Sequence, residues 1–187
     1  MTAAAPGATL AAVTLTELLA ALAVVGLVVG GVLAVTDSGH RAHADGAARV
    51  AAQQSARIAL ERMAREIRQA GVGFAPVDAI AVAEPERIVL HLDHDGDGVI
   101  APTRETVTWR RAGRVLRRNA GGGAQPIVNG VAALRLDYFD VDGRPTAVPG
   151  EVRSVAIALT VEADGAPRDR AARTAITVTT LVRLRNR

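Results

Sequence analysis

A long apolar run near the N-terminus constrains this chain most. Residues 13–35 read VTLTELLAALAVVGLVVGGVLAV, and Glu17 is the one ionisable side chain before position 37. As a helix the run is about 35 Å long, which is enough to cross the hydrocarbon core of a membrane. A buried helix of a soluble protein seldom runs this far without a polar face. A secretory signal peptide needs a basic start, a shorter apolar run and a small-residue cleavage site, which this segment does not offer. The run therefore predicts a membrane-spanning helix.

Glu17 is the exception within this run. A carboxylate deep in lipid costs about 2.5–3.5 kcal/mol unless it is neutralised or paired. The segment supplies no cation, since the first basic residue is Arg41. We therefore expect the partner of Glu17 to be a terminal amine newly exposed by cleavage, or a group on another chain.

Residues 12–19, Ala-Val-Thr-Leu-Thr-Glu-Leu-Leu, and the apolar stretch after them resemble the processing segment of type IV pilin-like proteins. The resemblance implies that residues 1–12 are a leader, which a prepilin peptidase removes between Ala12 and Val13. Val13 would then be the N-methylated first residue. Glu17 would pair with the terminal amine of a neighbouring subunit during assembly, which supplies the cation that its burial requires.

The residue before this cleavage point is Ala12, where the family usually has glycine, and the leader has no basic residue. Alanine is small enough for a peptidase pocket, so we expect processing here. Cleavage after Gly7 is the alternative register, and it would place Ala12 rather than Glu17 at the acidic position. We prefer the register that uses Glu17. Gly26 and Gly30, four residues apart, are spaced to let neighbouring helices approach closely.

The next segment joins the apolar run to the rest of the chain. Residues 36–46 are polar and contain two glycines, so we expect them to weaken or interrupt the helix. Helical periodicity then resumes, and its apolar stripe is formed by Ala56, Leu60, Met63, Ile67 and Ala70. The charged residues on the other faces are predicted to be solvated, with Glu61 and Arg65 spaced for an ion pair; they are Arg57, Glu61, Arg62, Arg65, Glu66 and Arg68. Gly71 and Gly73 are expected to end the helix.

The chain after Phe74 changes to short runs typical of β-strands, separated by Gly-containing turns. The predicted strands are residues 79–83, 87–92, 105–111, 114–118, 131–139, 152–162 and 174–184. Residues 105–118 predict one hairpin, and the last two runs are expected to pair about a turn near residues 165–169. These patterns predict an α+β fold, in which one long N-terminal helix packs on an antiparallel sheet. The expected organisation is a leader (1–12), a transmembrane half-helix (13–35), a polar break with an amphipathic half-helix (36–73) and a β-rich head (74–187).

Within the pilin-like family the chain is most similar to PilW-type minor pilins and to the J-type pseudopilins of type II secretion. The segments ARIALERMAREIRQAG, DHDGDG, DYFDVDG and VRLRN carry this resemblance. It implies a non-enzymatic subunit that starts or caps a type IV pilus or a pseudopilus. The implied partners are other minor and major pilins or pseudopilins, the prepilin peptidase and inner-membrane lipid. The implied location is the inner membrane, crossed once with the head outside the cytoplasm, and later the filament.

A candidate metal site lies in the segment DHDGDGVI. Asp93, Asp95 and Asp97 alternate as in the opening of a calcium loop, and the next residue is a glycine that permits a sharp turn. An EF-hand needs a bidentate Glu at its twelfth position, which is Arg104 here, while Glu105 is one residue late. The alternatives are therefore calcium and an acidic hairpin turn. A membrane-anchored calcium-binding or adhesive module that never enters a filament is the alternative function.

Other residues give weaker signals of chemistry. All 22 basic residues are Arg, but 19 acidic residues leave a net charge of +3, so nucleic acid is not an expected partner. A cluster at positions 110, 111, 114, 117 and 118 is interpreted as a solvated hairpin surface rather than a basic binding patch. The chain has no Cys, which excludes disulfides, thiol catalysis and Cys-ligated zinc. The histidines supply no catalytic arrangement, so an exported enzyme is the least favoured class; they are His40, His43, His91 and His94.

Overall fold

The computed structural model describes residues 14–72, 79–163 and 175–185, which form one long helix and two antiparallel sheets. The elements are α1 (Leu15–Gln69), β1 (Ile80–Glu84), β2 (Arg87–His91), β3 (Thr106–Ala112), β4 (Val115–Asn119), β5 (Gln125–Asn129), β6 (Val131–Phe139), a short 3-10 helix (Pro149–Glu151), β7 (Ser154–Val161) and β8 (Ile176–Arg183). The chain divides into two compact units, Met1–Ala44 and Asp45–Arg187.

The helix α1 is continuous through residues 36–46, where the sequence predicted a weakened or interrupted helix, so the predicted interruption does not occur. The polar side chains there bond within the helix. The hydroxyl of Thr36 donates to the carbonyl of Val32 at 2.8 Å, and that of Ser38 donates to the carbonyl of Val35 at 2.8 Å. Asp37 and Arg41 form an ion pair one turn apart. Each glycine in a helix interior costs only about 1 kcal/mol relative to alanine. In a helix of this length, the cost of two glycines is too small to interrupt the helix.

The later part of α1 buries the predicted apolar stripe against the sheets. All five stripe residues are buried, together with Ala59 and Ala64. The helix ends at Gln69, just before Gly71 as predicted, and at Gly71 the backbone adopts a φ of +78° and the N–H donates to the carbonyl of His91 at 3.1 Å. A Cβ at this position would lie 2.8 Å from the Cβ of Ala79, so both the conformation and the space require glycine. Gly73 lies outside the described residues.

The strands form two separate sheets rather than one. The first sheet is an antiparallel meander in the order β1-β2-β3-β4-β5, and the second has the order β6-β7-β8. Each of the seven predicted strands is present, with ends within two residues of the prediction. The hairpin β3–β4 and the pairing of β7 with β8 are confirmed. The predicted turn near residues 165–169 lies outside the described residues.

The strand β5 was missed because the residues that open it have the composition of a turn. Pro126 and the glycines at 121–123 argue against a strand interior. The structure places Pro126 on the last strand of the meander, opposite Arg117, where no further strand needs its missing N–H.

One apolar core joins both sheets to α1. Its largest fully buried side chains include Trp109, Met63, Ile67, Ile88 and Leu159. The sheets are also linked directly, since the N–H of Leu136 donates to the carbonyl of Pro85 at 2.8 Å and the hydroxyl of Tyr138 donates to the carbonyl of Glu84 at 2.8 Å. Burial raises the pKa of the Tyr138 hydroxyl, so this donor keeps its proton at neutral pH. The α+β prediction is therefore confirmed, and the layout is pilin-like.

Glu66 does not lie on a solvated face, in contrast to the sequence prediction. Its side chain is 12% exposed and accepts hydrogen bonds from Trp109 Nε1 at 2.6 Å and from Arg118 Nε at 2.9 Å. The ion pair along this part of the helix joins Glu66 to Arg62 at 3.4 Å, and among the described residues the predicted pair of Glu61 with Arg65 does not form. The carboxylate of Glu66 therefore ties α1 to the hairpin β3–β4.

We predict that Glu66→Ala lowers the free energy of unfolding by about 3 kcal/mol, because it leaves a buried indole N–H and a largely buried guanidinium without their acceptor. Chemical unfolding of the full chain in non-ionic detergent measures this change. Glu61→Ala, an exposed carboxylate on the same helix, is the matched control and should change stability by less than about 0.5 kcal/mol. Equal losses in the two variants would contradict the assignment.

Candidate functional site

The apolar half of α1 is the first candidate site, because it is long and apolar enough to cross a membrane by length and composition. Every large aliphatic side chain between Leu15 and Val35 is more than half exposed, from 51% at Val29 to 78% at Leu27. A Cβ placed on Gly26 or Gly30 would meet nothing within 4 Å. A continuous apolar surface of this kind requires an apolar environment, which lipid or neighbouring helices can supply.

Glu17 lies in the first turn of this helix and forms a capping box with Thr14. The backbone N–H and the hydroxyl of Thr14 both donate to Glu17 Oε2, each at 2.9 Å. In return the N–H of Glu17 donates to Thr14 Oγ1 at 3.3 Å. The Thr-x-x-Glu spacing was visible in the sequence, but its meaning as a helix start was missed.

This capping box leaves the charge of Glu17 without a cation. No basic group in the described part of the chain pairs with it, and its Oε1 atom accepts no hydrogen bond there. Ala12 and Val13 lie outside the described residues, so their processing stays a prediction. Cleavage between them would leave Thr14 and Glu17 in the mature chain, and the capping box would be retained.

The second candidate site is the acidic loop between β2 and β3, which we define by Asp93, Asp95, Asp97 and Glu105. One carboxylate oxygen from each of the four lies within 4.8 Å of the other three. The sequence placed Glu105 one residue too late for an EF-hand. The structure nevertheless brings it into the loop, next to Arg104, which has a left-handed φ of +83°.

Backbone N–H groups hold the acidic loop in place. Glu105 is 3% exposed and accepts from the N–H of Ala101 at 2.8 Å and of His94 at 3.0 Å. These hydrogen bonds lower the pKa of Glu105, against opposing effects of burial and of Asp93. Asp93 accepts from the N–H groups of Gly96 at 2.6 Å and Gly98 at 3.2 Å.

Asp95 shows the opposite electrostatic behaviour. The N–H of Asp97 donates to it and lowers its pKa, but this effect is outweighed. Desolvation by the surrounding loop and repulsion from Asp97, Glu105 and Asp93 together raise the pKa of Asp95 above its ordinary value. The loop is thus pre-organised but carries more negative charge than its own hydrogen bonds neutralise.

Four converging carboxylates are the oxygen donors that a hard cation such as Ca²⁺ prefers. The loop is flanked by strands and not by the helices of an EF-hand. Calcium binding stays a prediction, with Glu105 added to the three aspartates as a candidate ligand.

The arginine cluster of the β3–β4 hairpin does not form one patch. Arg111 pairs with Glu86 at 2.8 Å, Arg114 with Glu162, and Arg118 with Glu66. The solvated-surface interpretation is wrong for Arg118, whose side chain is only 16% exposed. Within the described ranges the acidic loop is the one cluster of carboxylates or histidines that could hold a metal ion, and none of the four histidines belongs to it.

Comparison of the chain with protein-family models and with curated proteins finds no match to either. Functional inference therefore depends on the residues and geometry of this chain.

We predict that Glu105→Gln weakens the acid dependence of stability. A carboxyl whose pKa is lowered by folding stabilises the fold above its ordinary pKa of 4.5, and this stabilisation is lost as the pH falls through the lower folded value. The variant should have the lower melting temperature at neutral pH, because its amide NH₂ faces a backbone donor. The melting temperature of the variant should fall less than that of the wild type between about pH 5 and pH 3.

Melting temperatures of the full chain across this pH range measure the effect. Asp142→Asn, at an exposed turn outside the loop, is the control and should follow the wild-type slope. An unchanged slope in Glu105→Gln would show that Glu105 does not contribute to acid unfolding.

Proposed function

We propose that this chain is a minor pilin or pseudopilin, a structural subunit that helps to start or cap a type IV pilus or a type II secretion pseudopilus. The observation that carries the proposal is an exposed apolar helix with a single carboxylate in its first turn. The same helix continues into an amphipathic half that packs on antiparallel sheets. The resemblance of residues 12–19 to a pilin processing segment supports this function.

The proposed mechanism stores the apolar half of α1 in the inner membrane and transfers it into a bundle of sister helices. Lipid tails are as apolar as Leu, so this transfer gains little from the hydrophobic effect. It gains from close packing and from the pairing of polar groups. The open surface at Gly26 and Gly30 would let a neighbouring backbone approach closely.

Glu17 would set the register of each new subunit. A charged carboxylate in lipid costs about 2.5–3.5 kcal/mol, and a cation in a low-dielectric bundle offsets that cost. Its Oε2 accepts hydrogen bonds from the first turn of its own helix, whereas its Oε1 accepts none from the described residues. The cation would be the N-methylated amine of Val13 on a neighbouring subunit.

This function defines the partners and the location. The prepilin peptidase would process Ala12–Val13, and other minor and major pilins or pseudopilins would surround the subunit. The head would lie outside the cytoplasm. The acidic loop is the feature that favours the alternative, a membrane-anchored calcium-binding module that stays outside any filament.

Mass spectrometry of the N-terminus from the native host tests the proposal. We expect the mature chain to begin at Val13 and to carry a methyl group on its amine. Ala12→Gly should give the same mature terminus, and Ala12→Arg should block its formation because the peptidase pocket takes a small residue. A mature chain that begins at Met1 would favour the membrane-anchored module.

Glu17→Gln separates the charge of this residue from its role in the cap. The amide still accepts from Thr14, so the helix start should persist, while the ion pair is lost. Loss of an interaction worth about 1.4 kcal/mol would lower assembly about tenfold. Filament or secretion assembly in cells measures this, with Thr14→Ser as the control that keeps both cap and charge. Wild-type assembly by Glu17→Gln would show that the pairing role is wrong.

A further inference from the structure

Three arginines form a row across the first sheet, which we call the arginine row. The strand register places Arg87 of β2 directly opposite Arg110 of β3, and Arg110 directly opposite Arg117 of β4. Their chain neighbours Ile88, Trp109, Leu116 are fully buried. Because successive side chains of a strand point to opposite faces, the row lies on the face turned away from the core.

The row brings three positive charges close together, and the described residues around it neutralise them only in part. Like charges directly opposite each other destabilise a sheet, and adjacent strands are only about 4.8 Å apart. In the described chain Arg87 has one distant carboxylate, Glu84 Oε1 at 4.0 Å, and Arg117 donates to the carbonyl of Ala124 at 3.0 Å. Arg110 has no acidic partner there.

Two arginines on the opposite side of the same hairpin are paired with carboxylates. Arg111 directly follows Arg110 in the chain, and Arg118 directly follows Arg117. Each of the two has a carboxylate at 2.9 Å or closer. The fold therefore pairs both of these arginines with a carboxylate. Among the residues that the structure describes, Arg110 at the centre of the row has no such carboxylate.

The row lines a surface groove together with the neighbouring cross-strand pair, which is polar. Thr108 and Asn119 lie opposite each other in the register, two residues from Arg110 and Arg117 on the same face. The groove thus combines three guanidinium groups with a hydroxyl and an amide, and none of its described lining residues is a carboxylate.

We propose that the arginine row is a binding site for a phosphate-class oxyanion. Guanidinium groups pair with phosphate oxygens in bidentate fashion, and a doubly charged anion would neutralise more of the row than one carboxylate could. The hydroxyl of Thr108 and the amide of Asn119 add hydrogen bonds to its remaining oxygens. The phosphate could come from a lipid headgroup or from a free polyanion, and the same chemistry recognises both.

Calorimetric titration of the full chain in non-ionic detergent at low salt tests this site. The two probes are inorganic pyrophosphate, for a free polyanion, and sn-glycerol 3-phosphate, for a headgroup without its acyl chains. We expect binding by the wild type and at least about tenfold weaker binding by Arg110→Gln. Without ligand, Arg110→Gln should melt at the same temperature as the wild type or higher, because it removes repulsion.

Arg144→Gln is the matched control, since Arg144 is exposed at a distant turn and paired with Asp142. It should bind both probes as the wild type does. Tighter binding of pyrophosphate would assign the site to a free polyanion, and equal or tighter binding of glycerol phosphate would assign it to a headgroup. The absence of binding by the wild type, or an equal loss in Arg144→Gln, would overturn the proposal.

Discussion

The structure depends on one helix whose sequence must suit two environments. Up to Val35, α1 is apolar on every side and its large side chains are exposed. Beyond Asp45 it has one buried stripe, which both sheets cover. Because a helix satisfies its own backbone hydrogen bonds, the same element can serve in lipid and against a sheet, and only its side chains need to change. The packing of the second half is fixed by apolar burial and by the carboxylate of Glu66, which accepts from Trp109 and Arg118.

Glu66 and Glu17, two of the carboxylates of α1, illustrate two ways of placing an acid in an apolar setting. Glu66 has its donors within the fold, and its role is structural. Among the described residues, Glu17 has donors for Oε2 alone, and they come from its own helix start. A capping box lowers the cost of the carboxylate but does not neutralise its charge. The remaining charge is the physical reason for the proposed intersubunit pairing.

In the head, too, nearby groups neutralise some charged side chains fully and others only in part. Backbone N–H groups hold the acidic loop, yet desolvation and repulsion between neighbouring carboxylates raise the pKa of Asp95. The arginine row repeats the pattern with the opposite sign, since the register aligns three cations and the fold neutralises the centre of the row least. In both places the backbone arranges like charges close together, which costs stability unless a counterion shares the site.

The sequence by itself determined the apolar span, the buried stripe, the end of α1 just before Gly71 and seven of the eight strands in the described residues. These features depend on local periodicity and on turn residues, which a single chain displays directly. The tertiary structure decided the rest. It placed Pro126 in an edge strand. It buried Glu66, brought Glu105 to the three aspartates and aligned the arginine row. Each of these depends on which distant residues meet, and strand register and turn geometry settle that only when the chain is folded.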